Sequence, residues 1–405
     1  MAYVFICSMV VGLISNPSLP LTELQFGFGR ELERIISGEP MRDPSRLPFL
    51  PYLLAALYSI SDKQMMAIVV KNFLIQPLLL YVLLYWWIRC AYSVPAVALI
   101  IFVLIFPQVW RHGFSLIPEE GYLIAALAFV FHGLLVSPGF GRVSAFVPYA
   151  IVTALLFLIK GSMLIVAPTL VVLYFYRTRD VRVFFLFGVA LTAAMMTWGF
   201  MTLNGTGTFA LSTTLSGYEI WKGNNPRTID YFPHHTLDTL SGEVPQRRAG
   251  ESPWDWSHRL QQEALEFVLS EPLVATKLLT LKFYQVFVSI TAESSPSWSS
   301  SQFGFLRPWL KGVGVIFMCA FRLLFFASLI VAIAAIACKP AGSDERTAAV
   351  CYLVFVFAFS FPFLVAWGTE RRIMPMVIPT VLYLLFALEH GTLRPPSDSR
   401  FLVQG

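Results

Sequence analysis

The sequence predicts an all-α polytopic membrane protein of about ten transmembrane helices, with juxtamembrane helices on the extracytoplasmic face. Three observations carry this. Of 405 residues, 57% are hydrophobic and only 13% are charged, about half the charge that a water-soluble domain carries. Apolar runs of spanning or near-spanning length recur along the chain, each needing about 20 residues to cross a bilayer. The remaining half is too long to serve only as connectors. A soluble enzyme is thereby excluded. The net charge of +5 is spread thinly, which suits cytoplasmic Lys and Arg of a membrane protein and implies no nucleic acid.

The runs fall at about 2–16, 65–88, 94–110, 121–137, 145–160, 162–176, 183–202, 312–338, 347–367 and 373–389. The first lacks a basic n-region and a cleavage site, and reads as a retained helix. An inside N-terminus gathers Arg89, Arg142, Arg177, Arg179, Arg182, Lys339, Arg346, Arg394 and Arg400 on the cytoplasmic side, as the positive-inside trend requires. Both termini are then cytoplasmic. A bacterial inner membrane fits this pattern, with the polar segments 17–64, 111–120 and 203–311 facing outward. The chain divides into an N-terminal transmembrane core at 1–202, which includes the first outer loop at 17–64, a long outer loop at 203–311, and C-terminal transmembrane helices with a short tail at 312–405.

Within the first outer loop, Phe26 to Ile36 is helix-compatible and stops at Gly38. Pro48 to Ser61 is too short to span and reads as an interfacial or re-entrant helix. In the long loop, Trp254 to Val288 turns helical, with Leu260, Ala264, Phe267 and Val268 at near-helical spacing. Five cysteines without CxxC spacing indicate neither a disulfide framework nor a zinc site. The His234–His235 pair lacks a convincing ligand set.

Chemistry-bearing residues collect on the outward side. Glu23 follows the first membrane helix after Pro17 and Pro20, at the level of a lipid head group. Glu31 and Glu33 read as surface charges. Glu119 and Glu120 open a membrane helix, where the macrodipole accounts for one carboxylate and leaves the second to hold an acceptor hydroxyl, a metal or a basic partner. Arg371 and Arg372 stand in a short outward turn against the positive-inside trend, and guanidinium groups match phosphate oxygens. Lys71, Lys160 and Arg322 are ionisable groups at membrane depth, candidates for a site or for snorkelling to lipid phosphate. The long loop adds Trp221 to Pro226, with Asn224 and Asn225, then Trp254, Trp256 and Lys282.

Taken in order, these pieces resemble the GT-C superfamily of polytopic glycosyltransferases, within it the bacterial relatives of protein mannosyltransferases and of the lipid A aminoarabinose transferase. The resemblance rests on Glu23, on Phe26 to Gly38, and on Arg46-Leu47-Pro48-Phe49-Leu50-Pro51-Tyr52-Leu53. It continues through Glu119 or Glu120, Lys160-Gly161, Trp221 to Pro226, Ala264 to Lys282 with Pro272, and Glu370 to Pro375. It covers nearly the whole chain, although each motif alone is weak. The family often has Asp or Asp-Glu where this chain has Glu23.

The resemblance implies inverting transfer of a sugar from a polyprenyl-phosphate donor to a lipid, glycan or protein acceptor at the outer membrane face. Glu23 would be the general base, with Glu119 or Glu120 orienting the acceptor or the cations. Arg371, Arg372, Lys160 and Lys282 would hold the donor phosphate. Trp221, Asn224, Asn225 and Trp254 would contact sugar or acceptor. No cofactor is assigned, since loop cations can take the place of a divalent metal such as Mg or Mn. The competing readings are a lipid-linked glycan polymerase or ligase, a polyprenyl-lipid transporter or flippase, and a non-catalytic scaffold. The transporter reading lacks a repeated half and paired broken helices.

Overall fold

The structure is a computed structural model that describes residues 28–60, 64–90, 92–106, 119–231, 243–289, 307–366 and 370–391. All regular structure among them is helical: α1 (Phe28–Ile36), α2 (Phe49–Ile60), α3 (Gln64–Cys90), α4 (Val94–Ile105), α5 (Glu119–Val136), α6 (Val147–Ile159), α7 (Met163–Thr178), α8 (Val181–Thr206), α9 (Leu215–Gly223), α10 (Thr228–Tyr231), α11 (Pro253–Ser270), α12 (Pro272–Phe287), α13 (Arg307–Cys338), α14 (Asp344–Val365) and α15 (Val377–Glu389), with a 3₁₀ segment at Glu370–Met376 before the last. Each apolar run from residue 65 onward contains a helix among the described residues. Among the described residues three stretches, Val181–Thr206, Gly314–Cys338 and Asp344–Val365, are long and apolar enough to cross a membrane, and the other apolar helices are shorter. The first run, at 2–16, lies outside the described residues.

Helices α5 and α15 are buried nearly all round, from Gly121 to Leu135 and from Val377 to Ala387. A helix apolar on every face belongs in the centre of a bundle. Around this centre α3, α6 and α15 pack on α5, α14 packs on α7 and α13, and α8 packs on α6 and α7. Helices α8 and α13 keep large apolar side chains exposed, among them Val189, Phe200, Leu323 and Ile330, as a lipid-facing surface requires.

One end of the bundle is tied by arginines. Buried Arg177 donates to the Leu134 and Leu135 carbonyls at the end of α5 and pairs with Asp344 at the start of α14. Arg89 at the end of α3 pairs with Glu389 at the end of α15. Arg142, Arg179, Arg182, Lys339 and Arg346 lie in or next to the turns at this end, while Arg394 and Arg400 lie outside the described residues.

The opposite end begins with α1, which stops at Gly38 in a left-handed conformation with φ +81°. Gly38 N–H donates to the Ile35 carbonyl and Glu39 N–H to the Arg34 carbonyl, the paired bonds of a Schellman stop. The short α2 stands where the apolar stretch after Pro48 predicts it. The helical stretch expected from Trp254 to Val288 is present as two helices. Glu271–Pro272 divides it into α11 and α12, because proline supplies no N–H to the helix and disfavours helical backbone at the residue before it.

Candidate functional site

Because α5 is the central helix, its first residue stands in the middle of this end of the bundle. That residue is Glu119. Its Oε1 lies 3.5 Å from Arg46 Nη1 and its Oε2 lies 3.6 Å from Lys160 Nζ. The carboxylate and the ammonium are largely buried, while the Arg46 side chain keeps 31% of its surface. One carboxylate therefore holds two cations from different elements, one of them part-exposed at the surface.

Local structure explains each position. Lys160 follows α6 in an extended conformation (φ −148°, ψ 135°), at the helix end where a cation is favoured. Its carbonyl accepts from Met163 N–H, the start of α7. Arg46 is set by its loop. The buried Glu31 carboxylate accepts from Arg42 N–H at 2.8 Å and pairs with Arg34 at 2.6 Å, while Asp43 accepts from Ser45 N–H. The Pro44 carbonyl accepts from Thr214 N–H, which docks the first loop on the segment entering α9. Glu31 is thus an internal tie of this loop rather than a surface charge.

A second cluster forms at the far end of α9. Lys282, buried in the middle of α12, donates from Nζ to Asn224 Oδ1 at 2.9 Å and to the Val365 carbonyl at 3.3 Å. Asn224 Nδ2 donates to the same Val365 carbonyl at 2.7 Å and to Ile220 at 2.8 Å. Gly223 lies so close to the end of α14 that an added Cβ would stand 1.6 Å from the Ala366 carbonyl oxygen. Burial pulls the Lys282 ammonium down to about 7. Its two acceptors, one of them at the negative end of α14, work in the other direction.

The two clusters are separated by α9, whose nine residues span about 14 Å. The 3₁₀ segment Glu370–Met376 packs against α5, α12, α14 and α15, so the backbone of Arg371 and Arg372 lies beside the helices that carry Glu119 and Lys282. The side chains of Glu120, Arg371 and Arg372 are outside the described set, as are Glu23, His234 and His235.

The other nominated residues build the long loop. Trp221 Nε1 donates to Glu263, which Arg259 also holds, and Trp254 Nε1 donates to Thr206 Oγ1. Both indoles are buried, Trp221 in a small core with Val244 and Leu260. Asn225 Nδ2 donates to the Trp221 carbonyl and its Oδ1 accepts from Arg227 N–H. Arg322 on α13 donates to the Val286 and Ser289 carbonyls, closing the C-terminus of α12.

The structure therefore joins Glu119 to Lys160 and Asn224 to Lys282. It sets Trp221, Trp254 and Asn225 apart as parts of the loop. Arg46 is the residue that sequence reasoning did not nominate, although it opens the quoted Arg46-Leu47-Pro48 motif. Among the described residues no three His, Cys, Asp or Glu side chains gather at metal-binding spacing. Compared with protein-family models, curated proteins and solved structures, the chain has no match.

Proposed function

We propose that the protein is a membrane glycosyltransferase that moves a sugar from a polyprenyl-phosphate donor to an acceptor hydroxyl on the extracytoplasmic face. The observation that supports this reading is the Arg46–Glu119–Lys160 triad at one end of an apolar bundle, beside the segment that carries Arg371 and Arg372. Cations concentrated at a membrane boundary suit a lipid-borne phosphate, whose oxygens accept bidentate guanidinium bonds. Glu119, already holding two cations, takes the orienting role. Glu23 takes the base role.

In the proposed reaction the Glu23 carboxylate accepts the acceptor O–H proton as that oxygen attacks the anomeric carbon. The carbon–oxygen bond to phosphate breaks from the opposite face, the configuration inverts, and polyprenyl phosphate leaves with the bonding pair. A positioned general base contributes about 10²- to 10⁴-fold. Arg371, Arg372, Arg46 and Lys160 stabilise the charge that develops on the phosphate. Lys282 and Asn224 fix the end of α14, from which the chain runs on to the arginine pair.

Donor recognition is measured with decaprenyl phosphate as probe and the purified protein in nanodiscs. Wild type binds, and both Lys160→Gln and Arg372→Ala weaken binding about tenfold or more. Equal binding by all three proteins would remove the phosphate assignment. Wild type that binds no lipid phosphate would remove the reading altogether.

A further inference from the structure

We infer that α12 is not a water-exposed helix of the long loop but enters the bilayer obliquely, with its C-terminal end beyond Lys282 among the acyl chains of the leaflet next to the site. Two rulers within the structure support this. Helix α13 ends at Cys338, followed by Lys339 in the turn to α14, so Cys338 marks one boundary of the hydrocarbon. Phe287 of α12 stacks on Phe325 of α13 with ring centroids 5.4 Å apart. Phe325 is 13 residues from Cys338, at most about 20 Å along the helix. The hydrocarbon is about 30 Å thick, so Phe287 lies inside it.

The second ruler is α14, which starts from the same turn at Asp344 and runs 22 residues to Val365, about 33 Å. Lys282 donates to the Val365 carbonyl and therefore stands at the far boundary. From Lys282 to Phe287 the helix must descend. Its last carbonyls, which water would otherwise satisfy, are closed by Arg322: Val286 and Ser289 both accept from that guanidinium. A helix end sunk in lipid needs such a partner.

The outward face has the matching chemistry. Leu279, Phe283, Tyr284 and Val288 are all between 45 and 50% exposed, although each is large and apolar or aromatic. Phe283 also leans on Phe287, 4.8 Å between centroids, and the face continues into the exposed Leu323 and Phe326 of α13. Higher on α12, Leu273 and Lys277 are exposed and fit the head-group level, where a lysine meets lipid phosphate. The occupant of this face is the membrane itself, continuous with the lipid-facing surface of α13.

Depth is measured on the full-length protein, with its five cysteines replaced by alanine or serine, in phosphatidylethanolamine–phosphatidylglycerol vesicles. A nitroxide is placed in turn at Phe283→Cys, Leu279→Cys, Leu323→Cys as a lipid reference, and Asp255→Cys as a water reference. We expect the ratio of oxygen to nickel-chelate accessibility at position 283 to approach that at 323, with position 279 lower, and both to exceed that at 255 severalfold. A ratio at 283 and 279 equal to that at 255 would overturn the inference. Neither result depends on whether the protein transfers a sugar.

Discussion

Replacing Gly223 with alanine is a sharp mechanical test of how the site is held. The added Cβ would stand 1.6 Å from the Ala366 carbonyl oxygen and 3.3 Å from Lys282 Nζ, where ordinary contact begins at 3.4 Å. Backbone faces backbone, so no side-chain rotation relieves the overlap, and one of the two segments must retreat by about 1.8 Å. That retreat would pull Asn224 Nδ2 and Lys282 Nζ away from the Val365 carbonyl they share. Overpacking of this kind costs roughly 1–3 kcal/mol, and depriving a buried donor of its acceptor adds about 1–3 kcal/mol. The assay is thermal unfolding in detergent beside two controls. In Gly161→Ala the new atom would meet Thr213 Oγ1 at an ordinary 3.7 Å, and in Gly188→Ala it would meet nothing within 4 Å. Gly223→Ala should melt well below both, with decaprenyl phosphate binding reduced. A Gly223→Ala protein that melts with its controls would refute the clamp between α9, α12 and α14.

Two other perturbations address the same helices. Lys282 has its pKa lowered from 10.5 to about 7 by burial, so between those values the unfolded chain holds more protons and the fold gains stability as pH rises. The slope is at most about 1.4 kcal/mol per pH unit. Lys282→Met should remove that rise, and parallel stability profiles for the two proteins from pH 7 to 10 would contradict it. Arg322→Met should cost about 1–3 kcal/mol, because it strips two carbonyls at the end of α12 of their donor. An unchanged melting temperature would show that those carbonyls find other partners.

Much of the helical layout was legible because apolar runs in a chain so poor in charge leave few alternatives. The stop at Gly38 was legible for a local reason: the left-handed residue that ends α1 needs only one glycine at the right place. The break at Pro272 was open to reading as well, yet the apolar spacing of α11 leads the eye across it. What the sequence hides are ties between residues far apart. Glu119 opens a helix in plain view, but its hold on Arg46 requires the first loop to fold back over α5, and Arg46 is one of several arginines there. Arg322 and Arg177 look like charges in search of counter-charges, whereas most of their partners are backbone carbonyls at helix ends, which no pattern of side chains reveals. The resemblance makes Trp221 and Trp254 contacts for sugar or acceptor. The long loop instead buries both against Glu263 and Thr206, 42 and 48 residues distant in the chain.

The proposed transfer is tested most directly by reconstituting the protein in proteoliposomes with a panel of radiolabelled polyprenyl-phosphate sugars and membrane-derived lipid, glycan and protein acceptors. For wild type the label should leave the polyprenyl phosphate and appear in one acceptor class. Glu23→Gln should stop that passage while still binding decaprenyl phosphate. Full transfer by Glu23→Gln would contradict the base assignment, and wild type inert towards every donor in the panel would contradict the proposed function itself.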